Sequence, residues 1–129
     1  MDWNMISSAI VVSLMPYFAS TGHAVAEKFG EDIYVWLKGK FAKENNKAVK
    51  SLDTLKEQPS SQEKQLELAD EIREMAINDP EGFGNELKKR LEPARISESD
   101  LARLEGILSK KLNTKLIINY INHVDNMYF

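Results

Sequence analysis

The sequence of 129 residues contains no cysteine. Disulfide bonds, thiolate zinc sites, iron–sulfur clusters and thiol catalysis are therefore excluded. Histidine is also scarce: His23 and His123 are the only two, and they lie a hundred residues apart. Neither has the H-E-x-x-H spacing of a helical zinc site. The sequence predicts no metal ion and no other cofactor.

Motifs of catalysis and nucleotide binding are missing as well. The chain has no G-x-S-x-G elbow and no G-x-x-x-x-G-K-[ST] loop. Its one G-x-G, Gly82-Phe83-Gly84, has Leu87 where a dinucleotide-binding loop requires a third glycine. We predict from these absences that the protein is not an enzyme and has no small-molecule substrate.

The sequence also lacks a surplus of positive charge. Lys and Arg number 17 against 20 Asp and Glu, which gives a net charge of -3. A protein that binds nucleic acid neutralises phosphates with a cationic surface. We therefore expect no nucleic-acid partner.

No charged residue lies between Asp2 and His23. A signal peptide would need a positive start, and a membrane-spanning helix would need about 20 predominantly apolar residues. The strongly apolar run from Ala9 to Phe18 is shorter and is interrupted by Ser13 and Pro16. The favoured interpretation is a core helix covered by its neighbours. Contact with a membrane surface stays open as the alternative.

The rest of the chain has helical periodicity, and no convincing strand precedes residue 116. Short connections between the helices predict an all-α, antiparallel bundle of about five to seven helices. Gly30 marks either a close helix crossing or a break. Apolar residues at three- and four-residue steps predict the buried face of the second helix: Val25, Phe29, Ile33, Trp36, Leu37 and Phe41. Ala48, Leu52 and Leu55 predict the buried face of a third.

Three pairs of residues predict where later helices begin. Ser60 with Glu63 and Ser97 with Asp100 have the spacing of a capping box, and Asp79-Pro80 has an N-cap residue before a proline suited to the first helical position. The predicted bundle domain spans residues 1–112, including a leucine stripe at 101, 104, 108 and 112. Residues 113–129 are a separate C-terminal segment, with a helix over 114–123. Its apolar end predicts either a docked tail or, as we favour, the beginning of a further module.

Two neighbouring segments carry opposite charge. Residues 38–56 hold six lysines against two acids, a local charge of +4, and residues 57–86 hold nine acids against two basic residues, a local charge of -7. Such blocks suit pairing within the chain or head-to-tail pairing between copies. Carboxylates on one helix face could also bind a cation or catalyse proton transfer, but a solvated face is the favoured interpretation.

The order of these features resembles a helical N-terminal module found at the head of many bacterial multidomain proteins of the signalling and defence type. The resemblance covers about residues 5–92. In that module the segment after the Asp-Pro-Glu helix start has helix-favouring residues, whereas this chain has Gly82-Phe83-Gly84. The resemblance itself rests on Leu14 before Met15-Pro16-Tyr17, on Gly22, Gly30 and Trp36, and on Asp79-Pro80-Glu81. The resemblance implies a sensing, adaptor or effector-positioning role beside another domain, and it implies no active-site residues.

From these observations we predict a non-enzymatic, cytoplasmic protein–protein interaction module. Its expected partner is a second copy or a neighbouring domain, with membrane association through the first helix as the alternative. Four aromatic residues are the predicted apolar contacts: Trp3, Tyr17, Phe18 and Trp36. Six residues from the two charge blocks are the predicted polar contacts: Lys40, Lys43 and Lys47 with Glu67, Glu71 and Glu74.

Overall fold

The computed structural model describes residues 3–91 and, beyond them, Ser99, Ala102, Arg103, Gly106 and Ile107. Within residues 3–91 the helices are α1 (Trp3–Phe18), α2 (Ala24–Glu44), α3 (Asn46–Glu57), α4 (Gln62–Asn78) and α5 (Pro80–Leu91). These described residues contain no strand. The predicted all-α fold class is confirmed.

Helix α1 lies at the centre of the described fold. Every residue from Ser7 to Pro16 is buried, which is nearly three turns of helix with no exposed face. Helix α2 and helix α4 pack against it. The interpretation of the uncharged segment as a core helix is therefore confirmed.

Three serines are buried in α1, and the hydroxyl of each donates a hydrogen bond to a backbone carbonyl of the preceding turn. Ser7 donates to the carbonyl of Trp3 at 2.7 Å, and Ser13 donates to that of Ala9 at 2.9 Å. Ser8 makes the same bond to Asn4 at 3.0 Å. Because a buried hydroxyl without a partner destabilises a core, these bonds to the preceding turn let polar residues occupy a fully covered helix.

Helices α1 and α2 cross closely at Gly30, without a break in α2. A Cβ atom built on Gly30 would lie 2.8 Å from the carbonyl oxygen of Ser13 and 3.0 Å from Cβ of Tyr17. The first neighbour is backbone and cannot rotate away. Of the two sequence-based alternatives for Gly30, the helix crossing is correct.

The predicted buried faces of α2 and α3 are confirmed with one exception. Val25 is 54% exposed, so its assignment to the buried face is wrong. It stands in the first turn of α2, at the edge of the face that Phe29, Ile33 and Leu37 bury. On α3, Ala48, Leu52 and Leu55 are buried as expected.

Helix caps explain most of the boundaries. His23 caps α2, because its Nδ1 accepts from the amide of Ala26 at 3.3 Å. Helix α4 is capped by Ser61, which accepts from the amide of Lys64, so the predicted capping box at Ser60 is wrong by one residue.

Asp79 starts α5 as predicted. Its carboxylate accepts from the amide of Gly82 at 3.1 Å, and Pro80 is the first helical residue. The carboxylate lies so close above Gly82 that a Cβ atom there would displace it. Glycine at this position therefore belongs to the cap, and α5 continues unbroken to Leu91 through Gly84.

Several predictions concern residues outside those described. They are the Ser97–Asp100 capping box, the leucine stripe at 101, 104, 108 and 112, the helix over 114–123, and the C-terminal segment 113–129 as a whole.

Candidate functional site

The four aromatic residues predicted as partner contacts lie in two separate places. Trp3 and Trp36 both pack on Phe83, with ring centroids 5.7 Å and 5.4 Å away. Tyr17 and Phe18 pack on Tyr34, at 5.6 Å and 5.7 Å. The structure does not bring the four together into one surface.

Most of the area of these rings is used inside the fold. Trp36 is only 7% exposed, and Trp3, Tyr17 and Phe18 are partly buried against the core. Trp36 nevertheless forms part of the wall of a surface groove. Its indole N–H is buried and has no hydrogen-bond acceptor among the described residues.

Two of the predicted basic contacts form ion pairs with the acidic block of the same chain. Lys40 Nζ lies 2.6 Å from a carboxylate oxygen of Glu86, and Lys47 Nζ lies 3.7 Å from one of Glu71. Glu71 also accepts from the side-chain amide of Asn45 at 3.0 Å. Pairing within the chain, one of the two alternatives for the charge blocks, therefore occurs at these sites.

The other three predicted charged contacts lie at the surface. Glu67 pairs with Lys64 on its own helix at 3.6 Å. Lys43 and Glu74 are exposed, and neither has an ion-pair partner within the described part of the chain. The predicted set thus divides into charges that pair between helices and charges that make no such pair among the described residues.

An open groove of about 750 Å³ runs between α2 and α5. The α2 wall includes Val35, Trp36 and Gly39, and the α5 wall includes Lys89 and Arg90. Val35 is 63% exposed, so an apolar side chain faces solvent in the middle of the groove. The lining residues on α2 extend from Lys28 to Glu44, a length of about 24 Å along the helix.

The lining of the groove includes three cations that have no ion-pair partner among the described residues: Lys43, Lys89 and Arg90. One acid of the lining, Glu44, also has no such partner in the described part of the chain. Lys28, by contrast, lies 3.2 Å from Asp32 on its own helix. A hydrogen bond from Lys28 to Asp32, with the attraction between their charges, raises the pKa of that ammonium. An incoming group would therefore meet more cations than acids among the lining charges that the described chain leaves unpaired.

Gly39 leaves the centre of the groove bare. No described atom lies within 4 Å of a Cβ atom built on Gly39. Glycine in the interior of a helix costs about 0.5–1 kcal/mol relative to alanine. At Gly30 a close crossing explains that cost, but at Gly39 nothing in the described chain does. A bare glycine on an exposed helix face lets another backbone approach closely.

Four groove residues were missed by the sequence analysis: Val35, Gly39, Lys89 and Arg90. Val35 could have been found, since it is a valine on the polar face of a helix, opposite the buried stripe. Lys89 and Arg90 carried no such signal. Their role depends on α5 lying beside α2, which periodicity does not determine.

A second cluster joins aromatic rings to lysine side chains. Lys56 Nζ lies 4.7 Å from the ring centre of Tyr34 and 5.3 Å from that of Tyr17, within the range of a cation–π contact. Lys38 donates to the Tyr34 hydroxyl at 3.2 Å, and this bond raises the pKa of Lys38. Tyr34 in turn donates to Asp53 at 3.2 Å. This network links α3 to α1 and α2. The rings of Tyr17 and Tyr34 therefore already contact a cation of the same chain.

A smaller cavity of about 310 Å³ lies where α4 meets α5, and its lining includes Glu71, Glu74 and Asp79. Among the residues that the structure describes, no three His, Asp or Glu side chains are grouped so that they could hold a metal ion.

In the same part of the chain, no helix has both the length and the hydropathy needed to cross a membrane.

Relatives add no constraint to this geometry. Comparisons with protein-family models, curated proteins and solved structures found no match to this chain.

Proposed function

We propose that this protein is a non-enzymatic helical interaction module, and that its docking surface is the groove between α2 and α5. The observation that carries the proposal is the exposed Val35 beside the bare Gly39, in a groove lined by three cations that pair with no described residue. This combination suits an amphipathic helix, which offers an apolar stripe flanked by charge. Because these cations have no partner in the part of the chain that the structure describes, we expect the partner helix to carry acidic residues.

The groove is long enough for a helix but too open for a small molecule. Ligand pockets enclose most of their ligand, whereas this groove lies along the surface between two helices. Helix-in-groove recognition uses apolar anchors separated by three, four or seven residues. The lining on α2 extends for about 24 Å, about four turns of such a helix, and α5 forms the opposite wall over about one turn, from Glu86 to Arg90.

The proposal extends to the whole chain and its setting. The antiparallel bundle of five to seven helices remains our expectation for residues 1–112. The resemblance to N-terminal modules of bacterial multidomain proteins supports a cytoplasmic adaptor that positions a neighbouring domain. The alternative, membrane association through the first helix, would require α1 to leave the centre of the fold, where its ten consecutive buried residues now lie.

Site-specific photo-cross-linking in cells tests the docking surface. A photoreactive amino acid at position 35 should form a defined protein adduct. The same residue at position 25, also an exposed valine of α2 but outside the groove, should not form that adduct. Reversing the charges of Lys43 and Arg90 should remove the adduct at position 35. The proposal fails if no adduct forms at position 35, or if positions 35 and 25 give the same adducts.

A further inference from the structure

We propose that the groove binds the outer face of α4 from a second copy of this chain, so that copies associate head to tail. The inference rests on the proposed function, because it names the helix that the groove would hold. Its evidence lies on α4, on the opposite charge of the groove, and on the dimensions of both.

The outer face of α4 combines a row of acids with two exposed apolar side chains. Leu66 is 36% exposed and Ile77 is 55% exposed, and they lie on one side of the helix, eleven residues or about three turns apart. Beside them four exposed acids share a face at helical spacing: Glu63, Glu67, Asp70 and Glu74.

Charge complementarity favours this face as the occupant of the groove. The groove is lined by Lys43, Lys89 and Arg90, which have no ion-pair partner among the described residues, against one such acid, Glu44, and by the apolar Val35. The face offers Glu74, which pairs with no described residue, and two acids that pair only weakly with their own helix, Asp70 at 3.5 Å from Arg73 and Glu67 at 3.6 Å from Lys64. Opposite potentials on two surfaces orient an encounter and select the partner.

The α2 wall of the groove is long enough for α4. Helix α4 has 17 residues and is about 25 Å long, and the lining residues of α2 extend for about 24 Å, with α5 beside them over about one turn. Gly39 places no side chain in the middle of the groove, which allows the arriving helix to approach the backbone of α2.

A copy cannot fill its own groove with its own α4. The inner face of α4 buries Leu68, Ile72 and Ala76 and packs against α1, so its outer face points away from the fold. The groove and the acidic face are different surfaces, which makes the contact heterologous. Heterologous contacts that do not close into a ring add further copies end to end.

Sedimentation velocity of the full chain tests the inference. Wild type should associate with a Kd on the order of 100 µM, as weak interfaces do. Raising the salt concentration from about 0.1 M to about 1 M should weaken the association, because the screening length falls from about 10 Å to about 3 Å. Val25→Asp, on α2 outside the groove, is the matched control and should sediment as wild type does.

Two variants separate the two surfaces. Val35→Asp in the groove and the double variant Leu66→Lys/Ile77→Lys on α4 should each raise the Kd at least about tenfold, because each loses an apolar contact and gains a charge like those of the opposing surface. All three positions are exposed, so circular dichroism should show an unchanged fold. An equal mixture of the two variants should form a dimer that grows no further, because each retains the surface that the other lacks.

Other results overturn the inference in distinguishable ways. Association that survives Leu66→Lys/Ile77→Lys but not Val35→Asp shows that the groove holds something other than α4, and the proposed function stands. Association that survives Val35→Asp, or a chain that stays monomeric at every concentration, overturns the inference. The cross-linking at position 35 then decides the proposed function by itself.

Discussion

Helix α2 presents two glycines on opposite faces. Gly30 and Gly39 are nine residues apart, which turns them about 180° from each other around the helix. Gly30 lies against the backbone of Ser13 in the crossing with α1, whereas no described atom comes near Gly39. Both glycines weaken the isolated helix by a similar amount. Only at Gly30 does a contact within the described fold offset that cost.

The difference shows how one residue type can mark two kinds of surface. At an internal crossing the missing side chain is part of the packing, so the fold itself requires glycine. At the outer face the missing side chain leaves room beside an exposed Val35 and cations that pair with no described residue. The inner face of α2 serves the fold, and under our proposal the outer face serves binding, so the same substitution on the two faces should have opposite effects.

The largest effect is expected at the inner face. Gly30→Leu should lower the free energy of unfolding by about 2–3 kcal/mol, although leucine favours helix, because its Cβ atom meets the backbone of Ser13. Urea denaturation of the variant and of wild type measures this. A variant as stable as wild type would show that the crossing is looser than the structure has it.

Gly39→Leu should have the opposite effect on stability. With open space around it, leucine should raise the free energy of unfolding by about 0.5–1 kcal/mol through helix propensity alone. The same variant should weaken self-association in sedimentation, because the side chain occupies the groove. A loss of stability in urea denaturation at low protein concentration would mean that the outer face is packed after all.

A smaller effect is expected for the ion pair that links the two walls of the groove. Lys40 and Glu86 join α2 to α5, and the carboxylate is about half exposed. A double-mutant cycle with Lys40→Met and Glu86→Gln should give a coupling of no more than about 1 kcal/mol, reduced by salt. A coupling well above that value would assign the pair a larger part in the fold than its exposure indicates.

We expect no binding to liposomes, whereas the membrane alternative predicts such binding. Because the residues of α1 from Ser7 to Pro16 are buried, the intact chain should not float with liposomes of neutral or anionic lipid. Gly30→Leu, which should loosen the crossing between α1 and α2, is compared with wild type in the same flotation assay. Flotation of the folded wild-type chain would contradict the assignment of α1 to the core.

Local signals in the sequence were sufficient for much of the fold. The uncharged first segment and the Asp79-Pro80 helix start each depend on a few neighbouring residues, whereas at Gly30 the sequence left a crossing and a break as alternatives. The errors were small shifts of the same kind. Ser61 and not Ser60 caps α4, and Val25 lies just outside the buried face.

The candidate site was less predictable, because it depends on which helices become neighbours. Lys40 and Lys47 look like surface contacts in the sequence, but α5 and α4 bring Glu86 and Glu71 to them. Val35 is a single apolar residue on a polar face. It becomes a candidate contact only because α5 forms the opposite wall of the groove. Charge blocks indicate that pairing will occur, but they do not determine which members remain unpaired.

The absence of cysteine makes the central test a clean one. Single-cysteine variants Val35→Cys, Leu66→Cys and Ile77→Cys can form a disulfide only between chains, since no other thiol exists. When Val35→Cys is mixed with each of the other two under mild oxidation, the mixed disulfide should form faster than the Val35→Cys homodimer for at least one pair. High salt should slow it. Homodimers of Val35→Cys that form as fast as both mixed pairs would contradict the association of the groove with α4.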